Sequence, residues 1–107
     1  MQRYGMVVKI RPDFLDEYVR LHANVWPKVL EKITDCNIRN YSIYHYGDLL
    51  FSYYEYIGDD YEADMKKMAD DPTTQEWWKV CTPGFIPVEQ KGPNAWWTEM
   101  REIFHWD

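Results

Sequence analysis

Alternation between apolar and polar positions at the start of the chain predicts a half-buried β-strand. Over residues 2–10, one side of an extended backbone carries Tyr4, Met6, Val8 and Ile10. The opposite side is mostly polar or small. Because side chains alternate across a strand, this pattern puts one face against a core and leaves the other partly in solvent.

A helical repeat follows this strand. Arg11-Pro12-Asp13 is typical of a helix start, with Pro at the first helical position and an acid in the first turn. Apolar residues then recur every three to four positions, at Phe14, Leu15, Tyr18, Leu21, Val25, Trp26, Val29, Leu30 and Ile33. Pro27 cannot donate its amide and crowds the carbonyl four residues back. The sequence therefore predicts a helix with a kink or break around Ala23 to Trp26.

The middle of the chain predicts a hairpin and a further helix. Two segments rich in Ile, Leu and Tyr, residues 37–46 and 49–56, flank the turn residues Gly47-Asp48. Gly58-Asp59-Asp60 then interrupts the apolar pattern, and helical character resumes over residues 61–69.

The last third predicts a short helix, a loop and a strand. Asp71 as cap and Pro72 at the first position begin the helix, which is expected to run through Val80. Residues 81–94 contain three prolines and two glycines and are predicted as one long loop, of a length that is uncommon without a function. Residues 97–105 fit a final strand.

The predicted order is strand, helix, strand, strand, helix, strand. This is the ferredoxin-like split βαβ arrangement (βαββαβ), an α+β fold with an antiparallel sheet. The 107 residues suit a single domain over 1–107, since no linker, repeat or low-complexity stretch divides them. Helices cover only one face of such a sheet, and many Tyr and Trp residues fall on the strands. A homodimer that packs sheet to sheet is therefore expected.

Composition and charge exclude several function classes. Eighteen acidic residues against 12 basic residues give a net charge of −6, and no Lys/Arg cluster offsets it. Binding to nucleic acid or to an anionic membrane surface is therefore not expected. No apolar run approaches the ~18 residues that span a bilayer, and the start lacks the apolar region of a signal peptide. With Cys36 and Cys81 expected to be reduced thiols, the sequence predicts a cytoplasmic protein.

Three side chains at helical spacing are the first candidates for chemistry. Tyr18, His22 and Trp26 lie at i, i+4 and i+8, so one helix face presents a phenol, an imidazole and an indole. Imidazole titrates near neutral pH and can therefore give or take a proton under cellular conditions. By spacing alone, a single His satisfied within an apolar face is the more common arrangement, and Tyr18 and Trp26 fit a core.

Aromatic residues make up 18% of the chain, and five of the six tryptophans lie in its last third. Trp77 and Trp78 point in different directions on a helix, so at least one of them is expected at a cleft. An indole suits a sugar, whose C–H face lies on the ring while its hydroxyl groups take hydrogen bonds. Packing in a protein interface explains these residues equally well. The tyrosines of the hairpin, including Tyr41, fit a sheet surface.

Other chemistry has little support in the sequence. His22, His45 and His105 are scattered, and no metal-binding spacing such as HExxH or CxxC occurs. A Gly-rich phosphate loop and a GxSxG elbow are also missing. Asp59-Asp60 and Asp70-Asp71 are expected to be helix caps and solvated ends rather than paired catalytic acids.

Spaced motifs over nearly the whole chain carry a resemblance to a known family. They are Tyr18-x-x-x-His22-x-x-x-Trp26-Pro27, Asn40-Tyr41-Ser42-Ile43-Tyr44, Leu50-Phe51 with Glu55, Trp77-Trp78-Lys79 and Glu102-Ile103-Phe104-His105. Together they closely resemble the L-rhamnose mutarotases. Residues 83–94 and Trp96-Trp97 match no part of that pattern. The resemblance therefore implies nothing about the lid of the sugar pocket or about which sugar is preferred.

The resemblance implies a dimeric, ferredoxin-like enzyme that interconverts the α and β anomers of L-rhamnose without a cofactor. It implies that His22 is the catalytic proton donor and that Tyr18, Tyr41, Trp77 and Trp78 bind the sugar. Ring opening needs one proton delivered to the ring oxygen and one removed from the anomeric hydroxyl, and it involves no redox step or metal. Tyr18, Tyr41 and water all stay candidates for the base that removes the second proton.

Two other function classes fit the same residues. A dimeric sugar-binding or sensing module would keep Tyr41 and the tryptophan pair, while His22 would only donate a hydrogen bond. The dimeric ferredoxin-like shape also occurs in haem-handling proteins and cofactorless monooxygenases, but that likeness rests on fold alone. Acceleration of anomer exchange separates the mutarotase from the first alternative, and the haemin Soret band separates it from the second.

Overall fold

A computed structural model describes residues 1–92 and 95–107 of the chain. Four helices and five strands are found there, and the strands form one sheet. In chain order the elements are β1 (Gln2–Ile10), α1 (Pro12–His22), α2 (Pro27–Asp35), β2 (Ile38–Tyr46), β3 (Leu49–Tyr56), α3 (Tyr61–Ala69), α4 (Pro72–Cys81), β4 (Phe85–Ile86) and β5 (Thr98–Met100).

The sheet confirms the predicted ferredoxin-like α+β fold. Its order is β2-β3-β1-β4, with β5 also paired to β1, and every pairing is antiparallel. Strand β4 pairs with Lys9 and Ile10, and β5 pairs with residues 5–7 of the same strand. Strands β4 and β5 are therefore successive parts of one edge strand, interrupted by the chain between Ile86 and Thr98.

Prolines divide the helical regions where the sequence predicted a break. Pro12, Pro27 and Pro72 each lie in the first turn of a helix, where the missing amide hydrogen is not needed. Helix α1 ends at His22, and Trp26 is the N-cap of α2. This confirms the predicted break at Ala23 to Trp26, and it leaves His22 at the end of a helix.

Aspartates cap the two helices of the second half, as predicted. The Asp60 carboxylate accepts a hydrogen bond from the Ala63 amide at 3.1 Å, and the Asp71 carboxylate accepts one from the Thr74 amide at 2.9 Å. Each bond satisfies an amide that has no partner within its own helix. Both carboxylates therefore serve the backbone.

The core lies between the helices and one face of the sheet. Strand β3 alternates strictly, with Leu50, Ser52, Tyr54 and Tyr56 buried and the residues between them half-buried. Leu50 joins buried residues of several elements in one cluster, which contains Val8, Ile10, Tyr18, Val29, Trp77, Cys81 and Phe85. The other face of β3 carries Leu49, Phe51, Tyr53 and Glu55.

Two predictions for the last third are wrong. Residues 81–94 are not one loop, because Cys81 closes α4 and Phe85–Ile86 form β4. Long-range contacts decide this: the Arg11 amide donates to the Gly84 carbonyl at 2.8 Å, and a Cβ on Gly84 would overlap the ring of Phe14. Pro93 and Asn94 lie outside the described residues.

The predicted strand over residues 97–105 is shorter than expected. Only Thr98–Met100 pair with β1, and residues 101–107 are exposed. Beyond Met100 the tail makes no further strand pairing with β1, but Glu102 still forms an ion pair with Arg3 of that strand at 2.8 Å. Ile103, Phe104 and Trp106 of this tail are largely exposed, since no other part of the described chain covers them.

Within residues 1–92 and 95–107, no helix is both long enough and apolar enough to cross a bilayer.

Candidate functional site

His22 is held at the end of α1 by one of its two ring nitrogens. Its Nδ1 atom lies 2.9 Å from the carbonyl oxygen of Tyr18, one turn earlier. A carbonyl oxygen only accepts, so this bond requires the proton on Nδ1. Among the described residues no group bonds to Nε2. Within that part of the chain, the neutral ring therefore keeps its Nε2 lone pair for an incoming group.

Two aromatic rings pack against the imidazole of His22. The centroids of the Tyr18 and His22 rings are 4.1 Å apart. The Trp77 ring meets the His22 ring edge-on, with 5.2 Å between their centroids. Trp26 packs edge-on against Trp77, also at 5.2 Å. The helical spacing that singled out Tyr18, His22 and Trp26 thus converges with Trp77 of α4.

This packing changes the acidity of the imidazole. Burial lowers the pKa of His22 below its ordinary value of 6.5, and the hydrogen bond to Tyr18 opposes the shift only in part. With its pKa below 6.5, the ring is largely unprotonated at pH 7. At neutral pH, His22 is consequently a base at Nε2, and it becomes an acid only after taking up a proton.

A β-bulge in β2 brings Tyr41 to the helix-covered side of the sheet, where Tyr18 and His22 also lie. The register of β2 on β3 shifts between Arg39 and Ser42, and Asn40 adopts a positive φ of 51°. The Tyr41 ring consequently lies edge-on against Tyr54, at 5.3 Å, on the face that the helices cover. Regular alternation would have placed Tyr41 on the opposite face, which is the sheet-surface position that the sequence pattern suggested.

The phenols of the site stay protonated at neutral pH. Burial raises the pKa of Tyr18 far above its ordinary value of 10.0, and the neighbouring Tyr41 adds to the shift. Tyr41 as a whole is 43% exposed. Burial of its hydroxyl group, with a smaller contribution from Cys81, raises the pKa of Tyr41 to about 12. Both hydroxyl groups are therefore hydrogen-bond donors rather than bases.

The adjacent tryptophans are separated by the structure. Trp77 is buried against His22 and Trp26, whereas 39% of Trp78 is exposed. In the described part of the chain, Trp78 makes no ring contact with these residues. The structure thus brings together Tyr18, His22, Tyr41 and Trp77, and a role for Trp78 stays a prediction.

Cys81 and Phe85 border the site and were not identified from the sequence. Burial raises the pKa of the Cys81 thiol to about 12, so the thiol is neutral beside Tyr18 and Tyr41. The Phe85 ring lies 5.5 Å from that of Tyr18. Cys81 follows Trp77 by four residues, which was a usable helical signal, but Phe85 lies in a two-residue strand that has no local periodicity.

A shallow depression on the helix side has the wrong chemistry for a catalytic site. It is lined by Lys32, Ala63, Lys66, Lys67, Asp70, Asp71 and Pro72. Lys66 pairs with Asp70 at 2.7 Å, and Lys32 and Lys67 each pair with Asp35 at 3.4 Å. Exposed pairs of this kind are common on protein surfaces and contribute little to stability.

Among the described residues, no group of three metal-ligating side chains occurs.

Comparison with known proteins agrees with the geometry. A family model described as L-rhamnose mutarotase matches residues 3–106. The L-rhamnose mutarotase of Oceanobacillus iheyensis is 33% identical over 109 aligned residues, which cover the whole of both chains.

Solved structures show the same fold at lower identity. The L-rhamnose mutarotase of Formosa agariphila covers the whole chain with a TM-score of 0.78 and 18% identity. Tetracenomycin F2 cyclase from Streptomyces glaucescens, a type-II polyketide cyclase, does so with a TM-score of 0.71 and 16% identity. Since the fold serves both, the assignment rests on the family model and the relative found by sequence: the chain belongs to the L-rhamnose mutarotase family.

Proposed function

We propose that this protein interconverts the α and β anomers of L-rhamnose and that His22 moves the proton. The observation that carries the proposal is the half-buried imidazole of His22, anchored through Nδ1 and with no bond at Nε2 among the described residues. Membership of the mutarotase family names the substrate.

The reaction is a proton transfer coupled to the breaking of one bond. In ring opening, the C1–O5 bond breaks, C1–O1 becomes a carbonyl, O1 loses a proton and O5 gains one. Rotation about C1–C2 then presents the other face of the aldehyde, and the reverse steps close the ring. Electrons and protons balance without an oxidant, a reductant or a co-reactant.

His22 can serve both oxygen atoms in turn. Its neutral form accepts the O1 proton at Nε2, and the imidazolium that results donates this proton to O5, the neighbouring oxygen on C1. The lowered pKa of His22 keeps the accepting form available at neutral pH and makes the imidazolium a stronger acid. Of the candidates for the base, Tyr18 and Tyr41 are disfavoured because their raised pKa values keep them protonated.

The neighbouring residues would bind and orient the sugar. The protonated hydroxyl groups of Tyr18 and Tyr41 would donate hydrogen bonds to sugar oxygens, including O5 as negative charge develops there. Trp77 would supply an apolar wall beside the imidazole. Trp78 would complete that wall from the outer side of α4.

The sheet face away from the helices supports a homodimer. Phe51 and Tyr53 are half-buried there, and Tyr44 is 66% exposed on the neighbouring strand. The C-terminal tail adds Ile103, Phe104 and Trp106, which are 82%, 79% and 83% exposed. A second copy packed on this face would remove these apolar groups from water.

The reduced state of the cysteines supports a cytoplasmic location. Cys36 and Cys81 are both buried and both free. Burial raises the pKa of each thiol, so neither is readily ionised. Inert free thiols of this kind are typical of proteins from reducing compartments.

Exchange NMR tests the proposed reaction. Saturation of the α-anomer signal of L-rhamnose should transfer to the β-anomer in the presence of the protein. His22→Ala should lower the catalysed rate by about 10²–10⁴-fold, the usual contribution of a positioned acid or base. His45→Ala is the matched control, because His45 is exposed and bonds to the Gly47 carbonyl in the hairpin turn.

Titration calorimetry with L-rhamnose separates catalysis from binding. The His22→Ala variant should still bind the sugar, because the phenols and Trp77 are unchanged. Binding by the wild-type protein without any acceleration of exchange would reject the enzyme and favour the sugar-binding module.

A further inference from the structure

Three aromatic rings that have no role in the proposed mechanism form a cluster next to the proposed site. Phe85 of β4 is met edge-on by Trp97 at 5.6 Å and by Trp96 at 6.4 Å. We call Phe85, Trp96 and Trp97 the aromatic corner. Trp96 and Trp97, like residues 83–94, match no motif of the mutarotase pattern given in the sequence analysis.

The aromatic corner shares a side chain with the site. Phe85 contacts Tyr18 at 5.5 Å, and Tyr18 in turn contacts His22 at 4.1 Å. Phe85 is only 8% exposed, whereas Trp96 and Trp97 are half-buried against the same core cluster. Phe85 therefore connects the two indoles to the site, because it contacts both of them and Tyr18.

The chemistry of the corner suits a methyl group better than a hydroxyl group. Its rings offer apolar faces and two indole N–H donors, but no hydrogen-bond acceptor. A sugar hydroxyl placed there would leave its own proton without a partner, and leaving a polar group unsatisfied is unfavourable. A methyl group would simply bury apolar surface.

We propose that the aromatic corner receives the C6 methyl end of the sugar, and that Trp96 is a specificity-determining residue for 6-deoxy sugars. This inference rests on the proposed function, because it concerns the same site. L-Mannose is the informative competitor, since it differs from L-rhamnose only by a hydroxyl group on C6. Trp96 is the residue to change because Trp97 directly precedes β5 and is tied to the sheet.

The first test measures selectivity by exchange NMR. The ratio of kcat/KM for L-rhamnose to that for L-mannose should fall about 10-fold or more in Trp96→Ser, since a small apolar group in a pocket contributes about 10- to 200-fold. Trp96→Phe keeps an aromatic wall and should stay within about 2-fold of the wild-type ratio. Val88→Ala is the control, because Val88 is exposed in the same segment. An unchanged ratio in folded Trp96→Ser would overturn the proposal.

The second test measures contact without catalysis. Saturation of the aromatic protons of the protein should transfer to the C6 methyl of L-rhamnose more strongly than to its ring protons, and Trp96→Ser should remove this excess. If the wild-type protein shows the methyl excess but no exchange, the corner stands and the proposed catalysis fails. If exchange is catalysed but the methyl shows no excess, the corner proposal fails and the mutarotase stands. If neither effect is seen, both are rejected.

Discussion

At the scale of single residues, the chemistry depends on which nitrogen of His22 is free. The Tyr18 carbonyl can only accept, so its bond at 2.9 Å assigns the proton of the neutral ring to Nδ1. Nε2 is then the nitrogen that gains and loses the proton during the reaction. One side chain can therefore act as base toward O1 and as acid toward O5.

This assignment predicts the direction of the pH dependence. The active free enzyme carries neutral His22, whose pKa is lowered below 6.5 by burial. We expect kcat/KM for L-rhamnose to be level near neutral pH and to fall about tenfold per unit once the pH drops below that pKa. Exchange NMR from pH 4.5 to 8, extrapolated to zero buffer and corrected for uncatalysed exchange, measures the profile. A rate that increases toward acidic pH would show instead that the imidazolium is the active form.

At the scale of an element, the bulge in β2 decides where Tyr41 points. Asn40 takes a positive φ of 51°, which Asn tolerates better than most residues, and its amide donates to Glu55 at 2.6 Å. Tyr41 therefore faces Tyr54 and the site rather than the open face of the sheet.

A matched pair of substitutions isolates the bulge. Asn40→Gly and Asn40→Ala both lose the bond to Glu55, but only Gly adopts the positive φ without a steric penalty. Asn40→Ala should have a free energy of unfolding about 1 kcal/mol below that of Asn40→Gly. It should also have a higher KM for L-rhamnose, because Tyr41 would be displaced from the proposed sugar site. Urea denaturation and exchange NMR measure the two effects, and equal values for both variants would contradict this role of the bulge.

At the scale of the whole molecule, one face of the sheet and the C-terminal tail expose apolar side chains. Phe51 lies at the centre of this face, paired with Val7 and Tyr44 on the neighbouring strands. A charge at that position would have to be desolvated in a sheet-to-sheet dimer, which is unfavourable.

Oligomeric state is therefore the global prediction. Light scattering after gel filtration should give the wild-type protein about twice the chain mass of 13.1 kDa. Phe51→Glu should be monomeric, whereas Leu30→Glu, at a 51% exposed position on α2, should remain dimeric. A monomeric wild-type protein, or a dimeric Phe51→Glu variant, would exclude packing through this face.

Local signals in the sequence were sufficient for most of the fold. Strand alternation, helical periodicity, the three helix-starting prolines and the Asp71 cap act over a few residues, so they located β1 to β3, the four helices and the break after His22. The four-residue spacing of Tyr18 and His22 likewise brings their side chains together on one turn of helix. These features depend on the backbone of a single element.

Only the tertiary structure decided the features that depend on distant parts of the chain. Tyr41 reaches the site through a register shift against β3. Phe85 contacts Tyr18 from a strand that pairs with the distant β1, and the tail beyond Met100 has no strand partner within the described chain. Each outcome is set by which surfaces meet in space, and no short-range pattern encodes that. The sequence therefore determined β1 to β3, the four helices and the position of His22 on its helix. Long-range packing determined the last two strands and which side chains surround the imidazole.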